Sequence, residues 1–304
     1  MKQLNIWLLK DGEQLPLLDN PKKMRMWRLG EALSNRGHHV TWFSSNFHHM
    51  EKRKLCEGDL NYKVADTFIL KLLEAGSYKK NLSLGRIFHH RRLGKRFKNI
   101  SRRMSQPDVI LVAHPIIDFS YEAVQYGEKH NIPVIIDIRD MWPDTFKDYF
   151  PRGLSYLVDC CTYFMQKKTQ EAFQGAEALV SMSPDLLAWA VHKAKSSKKT
   201  GIFYLGCDES KISIEPDTEK VRLIKKQSEG KTVFLYLGIL GAAYDIQTIV
   251  DVAKMRHKNG DTESFFVIAG DGEKKKFYQQ ACSEYNNIIF PGWVNKFESH
   301  ALMG

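Results

Sequence analysis

Val233-Phe-Leu-Tyr-Leu-Gly238-Ile-Leu-Gly241 is an apolar run that breaks at two glycines, and an amphipathic stretch from Asp245 to Lys258 follows it. The arrangement returns in Phe265-Phe-Val-Ile-Ala-Gly270-Asp271-Gly272-Glu273, and Ile288-Ile-Phe-Pro-Gly292-Trp293-Val294 begins a third copy. Strands that are apolar throughout, rather than alternating, belong to a parallel sheet buried on both faces. Glycine turns at their carboxyl ends open helices whose N-termini offer free N–H groups to anions. The stretch therefore predicts a parallel α/β sheet that binds a phosphorylated ligand.

Working outward, the first two-thirds of the chain alternates in the same way. Strands are expected at Leu4–Leu9, Gly37–Ser44, Asn61–Glu74, Asp108–Pro115, Pro133–Asp140 and Ala178–Met182. Helices are expected at Met24–Arg36, Ser120–His130, Leu154–Phe173 and Pro184–Ala194. The polar, basic stretch Lys193–Thr200 reads as a hinge, with Ile202-Phe-Tyr-Leu-Gly206 opening the second half. The expected fold class is α/β: two doubly wound, Rossmann-like domains, 1–195 and 196–304, facing each other across a cleft. The third copy reaches Gly304 as a helix begins. Ordinary doubly wound domains run roughly 60–100 residues further. The second domain is thus expected to be incomplete, with apolar strand edge and sheet face exposed.

Composition excludes several classes. The chain has 304 residues, 43% of them hydrophobic, and no run approaching the roughly 18 apolar residues of a membrane span. Met1–Lys10 lacks a small-residue cleavage site, and the five cysteines (Cys56, Cys160, Cys161, Cys207, Cys282) show no C-x-x-C spacing, which argues against a disulfide framework or zinc site. A cytoplasmic location is expected. The net charge of +10 is uneven: Ala75–Pro107 holds ten Lys/Arg and no acid, and without them basic and acidic residues are equal at 35 each. Within that segment Leu93, Phe97, Ile100 and Met104 recur at helical spacing, opposite the basic face carrying Arg91, Arg92, Lys95, Arg96, Arg102 and Arg103. Such a helix suits the anionic inner face of a membrane, as a peripheral contact. Equally, the same stripe would dock it on the sheet. Nothing in the segment resembles a nucleic-acid-binding module.

No G-x-G-x-x-G follows the first strand; Lys10-Asp11-Gly12-Glu13-Gln14 stands there, which disfavours a nicotinamide enzyme. Gly238 and Gly241 are positioned to place amides and a helix dipole on a diphosphate, or simply to allow a tight turn. His48, His49, His89 and His90 are adjacent pairs without carboxylates at ligand spacing, so no metal site is expected.

The order of these phrases resembles family 4 glycosyltransferases of the GT-B type, and most of all the bacterial branch that builds capsule and O-antigen sugars. The resemblance rests on the loop with Gly12 and Pro16, Arg25-x-x-Arg28-Leu-x-x-x-Leu33, Arg36-Gly37-His38-x-Val40 and Pro107-Asp108-Val109-Ile110. It continues in Ile138-Arg139-Asp140-x-Trp142-Pro143-Asp144, Tyr204-Leu205-Gly206-Cys207-Asp208, Tyr236-x-Gly238-x-Leu240-Gly241 and Ile268-x-Gly270-Asp271-Gly272. It implies a hexosyltransferase-type enzyme that moves a sugar, with retention, from a nucleoside diphosphate sugar to a lipid-linked saccharide in surface polysaccharide biosynthesis. The nucleotide sugar is the donor substrate, and no cofactor or metal is implied.

By the same resemblance Gly238, Gly241, Gly270, Asp271, Gly272 and Glu273 hold the donor. Asp11, Gly12 and Arg139 line the acceptor side. Asp140, past a strand's carboxyl end, accepts the acceptor's proton or caps a turn. His114 is a second catalytic candidate or a structural histidine. Two departures stand out: Ala242-Ala243-Tyr244-Asp245 lacks the family's Arg and Lys, and no Glu-x7-Glu phrase appears. Lys274, Lys275 and Lys276 are alternative cations. The rival readings are an inactive truncated remnant that binds membrane or a partner, and a sugar-nucleotide epimerase.

Overall fold

In Asn5–Leu9 (β1) the side chains alternate between two cores. Ile6 and Leu8 pack with Met26, Trp27 and Phe68, whereas Trp7 and Leu9 pack with Phe97, Phe119 and Phe173. A strand apolar on both sides must be covered on both faces, and the rest of the first unit does so. The chain continues through α1 (Arg25–Ser34), β2 (His39–Ser45), the small hairpin β3 (Phe47–His48) and β4 (Arg53–Lys54), β5 (Leu60–Ala65) and β6 (Phe68–Leu73). Then come α2 (Leu84–Ser101), β7 (Val109–His114), α3 (Ile117–His130), β8 (Val134–Ile138), a 3-10 turn at Asp144–Tyr149, α4 (Ser155–Gly175), β9 (Ala178–Ser181), α5 (Pro184–Ala194) and β10 (Lys199–Ile202). This computed structural model describes every residue except Met1, Asn20, Asn81, Leu82, Arg152, Leu154, Ser197, 207–217, Ala242, Ala243 and Gly304, and leaves out the side chains of Asp148, Tyr149 and Ser155.

The strands form one sheet in the order β10-β9-β8-β7-β1-β2-β6-β5, parallel except for β5. Winding starts at β1, runs outward through β2 and β6, and returns to β7 on the other side of β1. The carboxyl ends of β1 and β7 therefore flank the point where the winding reverses, the usual ligand crevice of such sheets. Helix α1 covers one face, and α2 to α5 contribute Leu93, Phe97, Ala123, Ala172 and Ala190 to the core on the other.

Two expectations need correction, and of the two places open to the α2 stripe it takes the sheet. Asn61–Glu74 is two antiparallel strands, because Asp66 and Thr67 turn the chain back and leave β5 as an exposed edge. Lys199–Ile202 pairs parallel with Ala178–Ser181, so the hinge does not fall at Lys193–Thr200; the first unit runs to Leu205 and the second from Gly206. The apolar stripe of α2 is not offered to lipid: Leu93 and Phe97 are fully buried against the sheet, each stabilising it by about 1.5–3 kcal/mol.

The second unit contains α6 (Glu219–Gln227), β11 (Thr232–Leu237), α7 (Ile246–Lys258), β12 (Ser264–Ala269), α8 (Lys275–Ala281), β13 (Ile288–Gly292) and α9 (Lys296–Met303). Its parallel sheet has the order β11-β12-β13. All six residues of β12 are buried: Phe266 and Ile268 face α7 and α8, and Phe265 and Val267 face Ile224 of α6. β11 is an edge, with Val233 and Phe234 exposed, and a groove of about 570 Å³ lies between it, α6 and α9. No described helix is long and apolar enough to cross a membrane.

Candidate functional site

The loop after β1 carries the first unit's charges. Gly12 has φ +81°, a left-handed conformation that glycine adopts freely. Asp11 beside it is buried, and its carboxylate accepts hydrogen bonds from Ser45 N–H (3.0 Å), Ser45 Oγ (2.6 Å), Ser44 Oγ (3.2 Å) and His89 Nε2 (3.1 Å). The other nitrogen of His89, Nδ1, donates to the Gly76 carbonyl at 2.9 Å. Each ring nitrogen of His89 thus faces an acceptor, and Asp11 and His89 form a buried pair. Burial pushes the Asp11 carboxyl up, but the His89 bond and charge and the Ser45 bonds outweigh it and hold the group well below the ordinary carboxylate range.

Glu13 starts a second network. Helix α1 has no capping side chain at Met24; Glu13 accepts from Met26 N–H at 3.0 Å instead. Its other oxygen accepts from Arg139 Nη1 at 2.6 Å, Arg139 Nε donates to Asp137 at 2.9 Å, and Arg25 lies 3.4 Å from Asp137. Arg139, expected on the acceptor side, is thereby engaged by two buried carboxylates and ties β8 to the loop after β1.

The next two candidates differ sharply. His114 is fully enclosed; Nε2 donates to the Trp142 carbonyl at 2.9 Å, and the ring packs on Phe173 and Trp189. Burial outweighs that bond and lowers its pKa to about 4, so the ring is neutral and holds the cis Trp142–Pro143 loop in place. Asp140 is half-buried at the carboxyl end of β8. Burial raises its pKa, against the Met141 N–H bond and the Arg86 charge. A carboxyl shifted toward neutrality suits proton transfer better than an ordinary one. Arg86 also stacks on the Trp142 ring at 4.4 Å, with His90 6.0 Å from the same ring, and His49 is bonded to the Tyr78 hydroxyl. Burial, then Lys52 and Arg86, lowers His49 to about 4, and burial pushes Tyr78 up to about 12.

His89, His90, His49 and Tyr78 were not expected in the site. The signal for His89 lay in its phase: His89, Leu93 and Phe97 are four residues apart, so His89 shares the inward face of α2. Its carboxylate partner, 78 residues away, has no local signature. The basic residues also separate. Arg96 pairs with Asp59, while Arg91, Arg92 and Lys95 form no ion pair among the described residues, and Arg102 and Arg103 follow the far end of α2. No metal-holding cluster occurs among the described residues.

In the second unit the glycine turns meet. Gly238 N–H donates to Ala269 O (3.0 Å), Leu240 N–H to Asp271 O (3.0 Å), Gly270 N–H to Gly292 O (2.8 Å) and Lys274 N–H to Leu240 O (3.0 Å). A Cβ on Gly270 would stand 1.7 Å from the Gly238 carbonyl, and one on Gly272 would stand 2.4 Å from that of Leu240. These glycines are required by the close approach of two backbones, whatever binds there. Gly241 has no such neighbour. Asp271 accepts its bond from Gly272 N–H (2.8 Å), and Lys275 lies 3.5 Å from it, leaning over Gly292. The N-terminus of α7 is filled by its own cap, Asp245, whose carboxylate accepts from Thr248 N–H at 3.2 Å. Ala242, Ala243 and Cys207–Asp208 lie outside the described residues.

No protein-family model matches the chain, and no curated protein matches it in sequence. Solved structures do. Sucrose-phosphate synthase from Thermosynechococcus elongatus superposes with a TM-score of 0.67 over 99% of this chain and 73% of its own, at 15% identity. The Anabaena protein Alr3699/HepE in complex with UDP gives 0.58 over 98% and 71%, at 13%. WaaG, a glycosyltransferase of lipopolysaccharide biosynthesis, gives 0.59 over 98% and 72%, at 11%. At these identities the likeness is one of fold, and the chain has the α/β fold of GT-B glycosyltransferases.

Proposed function

We propose that this chain is a glycosyltransferase that moves a sugar from a nucleoside diphosphate sugar to a saccharide acceptor. The observation that carries the reading is fold likeness over nearly the whole chain to a sucrose-phosphate synthase, to a glycosyltransferase and to a protein solved with UDP and with UDP-glucose. The glycine turns add to it. Backbone from two loops converges at the carboxyl edge of the second sheet, with Lys275 beside it, where a diphosphate would be received. The donor residues are Gly238, Gly241, Gly270, Asp271, Gly272 and Glu273, and Lys275 supplies charge to the leaving diphosphate.

On the first unit, Asp140 receives the acceptor hydroxyl's proton or hydrogen bond. Asp11, Arg139 and His114 keep that edge in shape, and Gly12 gives the acceptor close access to backbone. Retention, a hexose as the transferred sugar, a lipid-linked acceptor in surface polysaccharide assembly and attraction of the basic α2 face to anionic lipid complete the reading.

Isothermal titration with UDP, GDP and TDP tests it. One of the three should bind, and Lys275→Ala should weaken that binding about fivefold. A folded chain that binds none of them would sink the proposal.

A further inference from the structure

Up to Phe164, the outer face of helix α4 carries no charge: Asp159 lies to one side, paired with Lys147, and Lys167 and Glu171 follow further along the helix. Tyr156, Leu157, Tyr163 and Phe164 are 75%, 56%, 58% and 71% exposed, and the exposed Cys160 and Cys161 lie between them. These positions recur at helical spacing, while Val158 and Thr162 turn inward. Six neighbouring residues without a charge on a surface helix need a reason.

The stripe has a defined place. A small cavity of about 30 Å³ is lined by His90 and Arg91 of α2, Ile117 and Asp118 of α3, and Phe164 and Lys168 of α4, with Lys168 bonded to Asp118 at 2.5 Å. Phe164 is thus level with the first turn of α3, which starts at the carboxyl edge of the sheet. Residues 155–163, about 14 Å of helix at 1.5 Å per residue, precede that level on the side of the carboxyl edge. Helix α2 begins at the same edge with Leu84 (73% exposed) and Phe88 (59%), followed on that face by Arg91, Arg92 and Lys95, none of them ion-paired among the described residues. Apolar and tyrosine side chains projecting from one edge, backed by unneutralised cations, match the layering of a lipid surface: acyl boundary first, anionic headgroups behind.

The geometry points to an interfacial membrane-docking edge, in which residues 156–164 of α4 and the first turn of α2 enter an anionic lipid surface and Arg91, Arg92 and Lys95 hold its headgroups. This deepens the electrostatic attraction proposed above and rests on it only for the choice of anionic lipid. It also differs from what the sequence suggested, since the inserted side chains are not those of the α2 stripe. The edge that docks is the one carrying Asp11 and Asp140.

The test is co-sedimentation of the 304-residue chain with phosphatidylcholine vesicles containing or lacking phosphatidylglycerol, at low and high salt. Two variants are compared, Leu157→Ser/Phe164→Ser and Arg91→Gln/Arg92→Gln/Lys95→Gln. All five positions are exposed, and circular dichroism checks the fold. Both variants should bind anionic vesicles at least tenfold more weakly at low salt. At high salt the parent should keep a fraction of bound protein that the apolar variant lacks. An apolar variant that binds like the parent overturns the insertion, leaving electrostatic attraction alone if the basic variant fails. A parent that ignores vesicles but self-associates through α4, becoming monomeric in the apolar variant, also overturns it. Nucleotide titration is independent of both readouts, so the transferase reading can fail without touching this one.

Discussion

The carboxyl edges of the two sheets are built by different means. In the first unit the edge is held by side chains: Asp11 with His89, and Glu13 with Arg139 and Asp137. In the second it is held by backbone, with glycines letting the turn at Gly238 lie against the turn at Gly270. A side-chain network joins residues far apart in sequence and responds to protonation. A backbone crossing depends on a few short phrases and is indifferent to pH but intolerant of a single methyl group.

Gly270→Ala tests that intolerance and has the largest expected effect. Its Cβ would meet the Gly238 carbonyl at 1.7 Å, and φ there is +146°. Hydrogen exchange should show loss of protection throughout the second unit, with the first unchanged. If the variant matches the parent, the backbone crossing is not what holds the edge. Asp11→Ala is next. It leaves His89 buried beside an empty place, and breaking a buried pair costs about 3–5 kcal/mol. Denaturant unfolding of the first unit should move by that amount, whereas Asp11→Asn, which keeps an acceptor, should lose less. Equal stability in all three would mean the pair is incidental.

The comparison also predicts different pH responses. His114 has a folded pKa of about 4 against 6.5 when free. Between those values the unfolded chain binds a proton that the folded one refuses, so stability falls as pH drops from 6.5 to 4, by roughly 3 kcal/mol. Asp11, whose pKa is depressed, adds stability present above the unfolded carboxyl value and lost as pH falls below about 4. The first unit should therefore soften in acid before the second, read by hydrogen exchange at several pH values. His114→Phe should remove part of that slope, His49 and His90 supplying the rest; an unchanged slope would assign all of it to those two. The smallest effect is expected at Asp245. Removing its charge from the α7 N-terminus with Asp245→Asn should tighten UDP binding about twofold if the diphosphate lies near that helix, and leave it unchanged if not.

Most of the fold was legible. Continuous apolar strands such as Val109–His114 and Ser264–Ala269 can sit only in a covered parallel sheet, and the glycines after Leu237 and Ala269 mark real crossings. The 61–74 segment failed because its turn, Asp66-Thr67, has neither glycine nor proline. The α2 stripe was read correctly as apolar, but its choice between sheet and lipid depends on the neighbours, which the sequence does not order. Arg139 and His114 follow the same logic. Both stand at strand ends, where function concentrates, yet Glu13 lies 126 residues from Arg139, and no local phrase announces that the guanidinium is already engaged. Of the residues that the sequence alone does not point to, His89 and His90 come from a helix, and His49 and Tyr78 from loops.

The crossing of the two glycine turns has one more consequence. Four amide–carbonyl bonds connect the ends of three strands in a strip of chain with few side chains. Such a strip works as a single shelf: a load on the Gly238 turn is passed through Ala269 and Leu240 to the start of α8 without any side chain changing rotamer. A molecule resting on either turn is felt by both. What this edge of the second unit presents is a stiff surface more than a set of groups.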